Sequence, residues 1–231
     1  MMGNIYREQA YTAEKLDTLR DMLIKSGEMG EKRLRHTLGV EAECGRLAEL
    51  FGLSENDALR LRAAGLLHDI TKELALPEQI ELCKRYELDY PPEATHSPRV
   101  FHAWTASAVM LDRYPEYADA EMSGAVYSHT TGSRNMSLFD ALLFLADYIE
   151  PERTFPDCVA LREYFYTPRG GELSAMPREA LLQHLIDTLV LSFDMTLRQL
   201  ITDGEFIFHT TVEARNALLY ARDKSRKEDR A

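Results

Sequence analysis

An all-α fold follows from three features of this 231-residue chain. Apolar residues recur at three- and four-residue spacing in one segment after another. Serine, threonine or proline stands before those segments, and glycine or proline after them, which is the punctuation of helix starts and stops. No stretch alternates apolar and polar residues as a half-buried strand does, and the one strand-like feature is the short apolar run Phe206-Ile207-Phe208.

Residues 12–25 place Leu16, Leu19 and Leu23 on one stripe, and Ser26-Gly27 and Gly30 break it. A second helix starts near Glu31. Its stripe holds His36, Val40, Cys44, Leu47 and Phe51, with Arg33 one turn ahead of His36 and Gly52 as the stop. Ser54 caps a third helix, with Asp57 three residues on. Ala58, Leu61, Gly65 and Leu66 lead that stripe into His68-Asp69. Adjacent residues are about 100° apart on a helix, so this pair can reach a common point only near its end. Pro77 opens a short helix, and Pro91-Pro92 closes that region.

Ser97-Pro98 reads as the N-cap and first turn of a helix carrying Phe101, His102, Trp104, Ala106, Ala108 and Val109, which Pro115 ends. Residues 118–129 align Met122, Ala125, Val126 and His129, and Thr130-Thr131-Gly132 forms a turn. Ser137 with Asp140 caps LFDALLFLADYI, apolar nearly all round as a central buried helix is, with Asp147 inside it and Glu150-Pro151 at its end. Pro156, Pro168, Gly170 and Gly171 mark 151–176 as loops around a short helix. Pro177 starts a long helix to about Thr202, with Leu181, Leu185, Leu189 and Leu197, and Gly204 ends it. Thr210 with Glu213 caps a last amphipathic helix, and the charged tail KSRKEDRA frays. The chain thus divides into an N-terminal helix (1–30), a central domain (31–170) and a C-terminal helical extension (171–231) packed on the same domain.

Composition bounds the function. The net charge of −11 disfavours non-specific nucleic-acid binding, which needs a basic surface. It does not disfavour a small anionic substrate, because bound cations dominate the field of a metal site. Cys44, Cys83 and Cys158 are far apart with no CxxC spacing, which fits a reducing cytoplasm rather than a disulfide framework. The start, MMGNIYREQAYTAEKL, has no apolar run of a secretion signal, and no stretch approaches the length needed to span a bilayer.

His68-Asp69 ends an apolar, alanine-rich helix, where an imidazole and a carboxylate are costly to bury uncompensated. A metal ion compensates both, and an aspartate can bridge two metals. His36, His102, His129 and Asp147 are further ligands of the right classes, each in an apolar or small-residue helix. A single histidine on such a stripe is commonly a satisfied core residue, and Asp147 has a structural alternative in a salt bridge to Arg153. The ordered set on successive helices is what points to a metal centre that hydrolyses a phosphate bond.

The same passages carry a resemblance. RLRHTLGV (33–40), AAGLLHDITK (63–72), FHAWTASAV (101–109), YSHTTGSRNMS (127–137), LFLADYIEPER (143–153) and EFIFHTTVEARNALL (205–219) resemble the HD-domain metal-dependent phosphohydrolases. The combination of HTTG with ADYIEPER resembles their YqeK-type branch, similar to symmetrical diadenosine tetraphosphate hydrolases. Trp104 departs from it, standing where a smaller residue is expected. The resemblance makes 31–170 an HD-domain helical bundle and implies His36, His68, Asp69 and Asp147 around one metal. Asp69 would bridge to a second metal held with His102 and His129. Two divalent transition metals are expected, iron by resemblance, with manganese, cobalt, nickel or zinc equally suited by ligand type. Asp69 and Lys72 would act at the reacting phosphate. Lys72 and Arg153 are the first cationic contacts for a polyphosphate, Arg33 and Arg134 the next, and Thr130, Thr131 and Gly132 offer a phosphate-binding turn. The expected substrate is diadenosine tetraphosphate with ADP as product, with no nucleic-acid or membrane partner and with room for a homodimer. Two other readings stay open: a phosphatase of nucleoside monophosphates or other nucleotides, and a catalytically silent nucleotide-binding module. His96, His184 and His209 fall outside the ligand set, and Tyr164, Phe165 and Tyr166 read as core packing before base stacking.

Overall fold

The helix stops written into the sequence are where the helices stop. The structure, a computed structural model, describes residues 10–168 and 171–228. These residues form ten α-helices and no strand. The expected boundary near residue 170 and the last residues of the tail, with the side chains from 225 on, lie outside the described residues, as do residues 1–9.

Helix α1 (Ala13–Ser26) starts at Thr12, whose Oγ1 accepts from Lys15 N at 3.2 Å, and buries Leu16, Leu19 and Leu23. Helices α2 (Glu31–Leu50) and α3 (Glu55–Leu67) form a hairpin, and Ser54 Oγ accepts from Asp57 N at 3.1 Å. Helix α4 (Leu76–Arg85) follows, then α5 (Phe101–Arg113) and α6 (Ala120–Ser128) as a second hairpin. Helix α7 (Leu138–Ile149) begins with the Ser137/Asp140 capping box and lies against α2, α3, α6 and α8 (Pro156–Tyr166). That explains its composition: a helix with neighbours on every side has no face to give to water. Helices α9 (Arg178–Asp203) and α10 (His209–Glu228) close the chain. Leu181, Leu185, Leu189 and Phe193 of α9 join the main core, and Phe193 stacks on Phe144 of α7 at 4.8 Å.

Four local expectations are corrected. Ser97 makes no side-chain cap, and Pro98–Val100 is a single 3-10 turn leading into α5. The last helix begins at His209, so Thr210 lies inside its first turn and does not cap it. The Phe206–Phe208 run is not a strand. Finally, α9 has 26 residues and is long and apolar enough by composition to cross a membrane. Its apolar stripe instead packs into the protein's own core.

Trp104 does not crowd the histidines. Its ring faces away from them into a second cluster, 5.1 Å from Phe101 and 5.4 Å from Phe208. His184, stacked on Tyr164 and Phe165, donates from Nε2 to Phe165 O over 2.9 Å; of the aromatic group expected as core packing only Phe165 is buried, while Tyr164 and Tyr166 are exposed.

Candidate metal centre

Five helix ends meet at one end of the bundle and bring the six expected ligands together. His36 lies in the second turn of α2 and His102 in the first turn of α5. His68 is the C-cap of α3, Asp69 follows it, His129 is the C-cap of α6, and Asp147 lies in the last turn of α7. Three of these helices therefore point C-termini, their negative ends, at the cluster, which favours a cation there.

The same helix ends fix the histidine tautomers. The last carbonyls of a helix have no intrahelical partner. His68 Nδ1 donates to Gly65 O at 2.7 Å, and His129 Nδ1 donates to Val126 O at 2.6 Å. A carbonyl can only accept, so both rings carry hydrogen on Nδ1 and, when neutral, turn a bare Nε2 lone pair inward. His36 reaches the same orientation another way: its Nδ1 lies 3.0 Å from Glu150 Oε1.

Asp69 stands between two groups. Its Oδ2 lies 3.4 Å from His68 Nε2 and 3.6 Å from His36 Nε2. Its Oδ1 lies 3.1 Å from His102 Nε2 and 3.6 Å from His129 Nε2. Asp147 Oδ1 joins the first group, 3.0 Å from His36 Nε2 and 3.6 Å from His68 Nε2. His36, His68 and Asp147 place ligand atoms within 4.8 Å of one another, and so do His68, Asp69 and His129. His36 Nε2, His68 Nε2 and Asp69 Oδ1 are buried without a hydrogen-bond partner. Buried lone pairs that face each other without protons between them are costly, and a divalent cation is what they fit.

Charge follows from the packing. Burial works against ionising Asp69, yet His68, Lys72, His102 and His129 outweigh it and hold the carboxyl well below the usual range. Burial likewise opposes charge on Asp147, and Arg153, His36 and His68 overcome it. Burial lowers the His36 pKa, but Asp147, Asp69 and Glu150 together push it up to about 10. His102 goes the other way, to about 3, through burial first and the Lys72 ammonium next. Burial also lowers Lys72 itself, against the pull of Asp69.

The cationic expectations divide. Arg33 donates to Asp69 Oδ2 and Arg153 to Asp147 Oδ1, so the salt bridge weighed for Asp147 is present within the cluster. Lys72 Nζ lies 2.8 Å from His102 Nε2 and 3.9 Å from Asp69 Oδ1. Thr130 Oγ1 is 3.2 Å from His102 Nε2. Thr131 is buried, and its hydroxyl donates to Gly132 O at 3.1 Å. Gly132 has another role than phosphate binding: its N–H already donates to Ser128 O at 2.7 Å. Its φ is +67°, and a Cβ there would lie 2.5 Å from Phe193 Cζ and 2.8 Å from Ala214 Cβ. It is the point where α9 and α10 approach the turn. Arg134 is exposed and has no ion-pair partner among the described residues, so the structure does not bring it to the cluster.

Glu150 is the residue the sequence reading passed over. It is buried, its Oε1 meets His36 Nδ1, and its Oε2 accepts from Glu152 N at 2.7 Å. Gly39 on α2 makes the room, since a Cβ there would run into Glu150 Oε2. Arg162 of α8 donates to the carbonyls of Ile149 (2.6 Å), Glu150 (2.5 Å) and Arg153 (2.7 Å), holding this turn in place. A signal was present: Glu150 follows Asp147 by three residues, on the same helix face.

Comparison with known proteins identifies what the chain is similar to. Residues 33–152 match the HD domain family. The chain is 33% identical over 144 residues, 60% of it and 69% of the relative, to the symmetrical bis(5'-nucleosyl)-tetraphosphatase of Staphylococcus aureus. It is 29% identical over 168 residues, 71% of it and 81% of the relative, to the protein of the same name from Bacillus subtilis. Among solved structures, a predicted HD superfamily hydrolase involved in NAD metabolism from Clostridium acetobutylicum superposes with a TM-score of 0.72. It has 31% identity, over 89% of this chain and 97% of that one.

Proposed function

This chain belongs to the HD domain family and, within it, to the symmetrical bis(5'-nucleosyl)-tetraphosphatases; from that premise we propose that it hydrolyses diadenosine tetraphosphate symmetrically. Water adds across the central P–O–P bridge, and the two halves leave as ADP. The observation that carries a two-metal version of this reading is Asp69, whose two oxygens face two different histidine pairs.

His36, His68, Asp147 and Asp69 Oδ2 would hold one divalent cation, and His102, His129 and Asp69 Oδ1 a second. Bound there, the cations supply charge neutralisation at the phosphate oxygens and activation of the attacking water. The chain's own groups do the rest. The Arg33 and Arg153 guanidiniums already sit beside Asp69 and Asp147, and their forks suit phosphate oxygens. Lys72 adds a cation on the His102 side, where it stabilises charge on the transferring phosphoryl group. Thr130 presents a hydroxyl at the same place. Four imidazoles and two carboxylates suit a borderline transition metal; iron is our first assignment. The three cysteines are free and buried, which supports a reducing, cytoplasmic setting. A homodimer remains compatible with this reading.

The test is product identity. Metal-loaded protein incubated with diadenosine tetraphosphate yields ADP as the sole nucleotide. AMP with ATP rejects the symmetrical cut. Phosphate released from a nucleoside monophosphate, with the dinucleotide intact, transfers the site to the phosphatase reading. ADP binding without turnover of any nucleotide leaves the silent binding module. Elemental analysis of the purified protein identifies the ion.

A further inference from the structure

Beside the six ligands a groove of about 670 Å³ opens, a size in the range of small-molecule sites. Its near end is the turn after His129. Thr130 lines it and also places its hydroxyl 3.2 Å from His102 Nε2, so the groove and the metal centre share a wall. Its far wall is the link between α9 and α10, residues 205–208, part of the EFIFHTTVEARNALL passage to which the metal centre gives no task. Gly204, at φ +67°, stops α9, and Phe208 plugs into the Trp104 cluster at 5.4 Å. The link is thereby held at both ends.

Between those anchors Phe206 stays 38% exposed, its ring beside that of His96 at 6.0 Å and tilted by 34°. Ser97, Thr196 and Thr211, all hydroxyl-bearing residues, also line the cavity. Arg99 and Glu205, which also line it, neutralise each other at 3.0 Å. The cations of the site, Arg33, Lys72 and Arg153, are all committed on the metal side. The surface is therefore partitioned: one end is built for phosphate, and the adjoining groove for an uncharged group with a flat ring and hydroxyls.

We propose that this groove seats one nucleoside of the substrate. The base lies against Phe206 and His96, the sugar hydroxyls meet the threonine hydroxyls, and the phosphates leave past Thr130 toward the metal centre. That the ligand is a nucleotide rests on the hydrolase reading above; the location of its nucleoside rests on the groove. Trp104 then acts at a distance, by fixing the segment that carries Phe206.

The experiment compares the wild type with Phe206→Ala and Phe206→Tyr, all metal-loaded, by calorimetric titration with ADP and with inorganic pyrophosphate. Loss of one aromatic stacking partner weakens ADP binding about ten-fold in Phe206→Ala. Phe206→Tyr keeps the ring and stays close to wild type. Pyrophosphate, which has no nucleoside, binds all three alike. The proposal is overturned if Phe206→Ala binds ADP as the wild type does, or if it loses pyrophosphate to the same extent. If the ADP pattern holds while the wild type leaves diadenosine tetraphosphate intact, the hydrolase reading fails and the groove stands. If the wild type binds no ADP at all, both fall.

Discussion

Glu150 Oε1 lies 3.0 Å from His36 Nδ1, at the opposite nitrogen from the one that meets Asp147. A buried carboxylate on the outer nitrogen of a ligand histidine holds the ring in one orientation and makes its inner nitrogen a better donor. Glu150→Ala is expected to weaken metal binding by about 10- to 100-fold. Glu150→Gln, which can still accept from Nδ1 but carries no charge, falls between. Competition against a chelating dye measures both, and an unchanged affinity in Glu150→Ala removes Glu150 from this role.

Gly39 tests the same relationship from the other side. An alanine in the middle of α2 favours the helix by about 1 kcal/mol. Its Cβ, however, would occupy the place of Glu150 Oε2, in a carboxylate tied down by Glu152 N at Oε2 and by His36 at Oε1. Gly39→Ala should therefore lose metal affinity in the same direction as Glu150→Ala. Calorimetry on the purified variant would detect wild-type affinity, the result that contradicts the coupling.

Asp69 serves both histidine pairs, so replacing it affects both positions. Asp69→Ala is expected to retain at most one metal per chain, against the two proposed for the wild type. Metal content after gel filtration, read by mass spectrometry of the elements, decides it; two ions bound per variant chain would mean that Asp69 bridges nothing.

The pH dependence has a definite sign. In the metal-free protein His36 is held up at about 10, above its ordinary value. A raised folded-state pKa stabilises the fold fully below the unfolded value of about 6.5. That stability is lost as the pH climbs through the folded value of about 10. Metal needs the neutral ring, so loading at neutral pH expels a proton and affinity rises with pH. Addition of metal to weakly buffered protein at pH 7 should acidify the solution. No proton release, or an affinity that improves toward pH 5, would contradict the assignment of His36.

Gly132 carries a purely structural prediction. Gly132→Ala forces a side chain into a left-handed backbone and into Phe193 and Ala214. The two costs together come to about 2–4 kcal/mol. Thermal unfolding followed by circular dichroism measures the change, and a melting temperature within a degree of wild type would refute the packing described here.

By itself the sequence determined the helices and singled out the six side chains that the fold brings together. Leu16, Leu19 and Leu23, or the Ser137/Asp140 box, act within a few residues of themselves, so their consequence is legible wherever they occur. The place of His68 and His129 at helix ends was equally local, and with it the freedom of Asp69 to turn toward a shared point. Local reading erred where a nearby residue could act but a distant one prevailed. Ser97 could have capped α5, and Gly132 could have offered its N–H to phosphate, had Ser128 O not taken it. What only the tertiary structure decided is which atom faces which. Glu150 meets His36 across 114 positions of chain, the Phe206 ring comes to lie beside that of His96, and each oxygen of Asp69 chooses its own pair of rings. Those choices depend on how whole helices cross and stop against one another. Spacing along the chain carries residue type and local phase, but it does not carry the distances between helix ends.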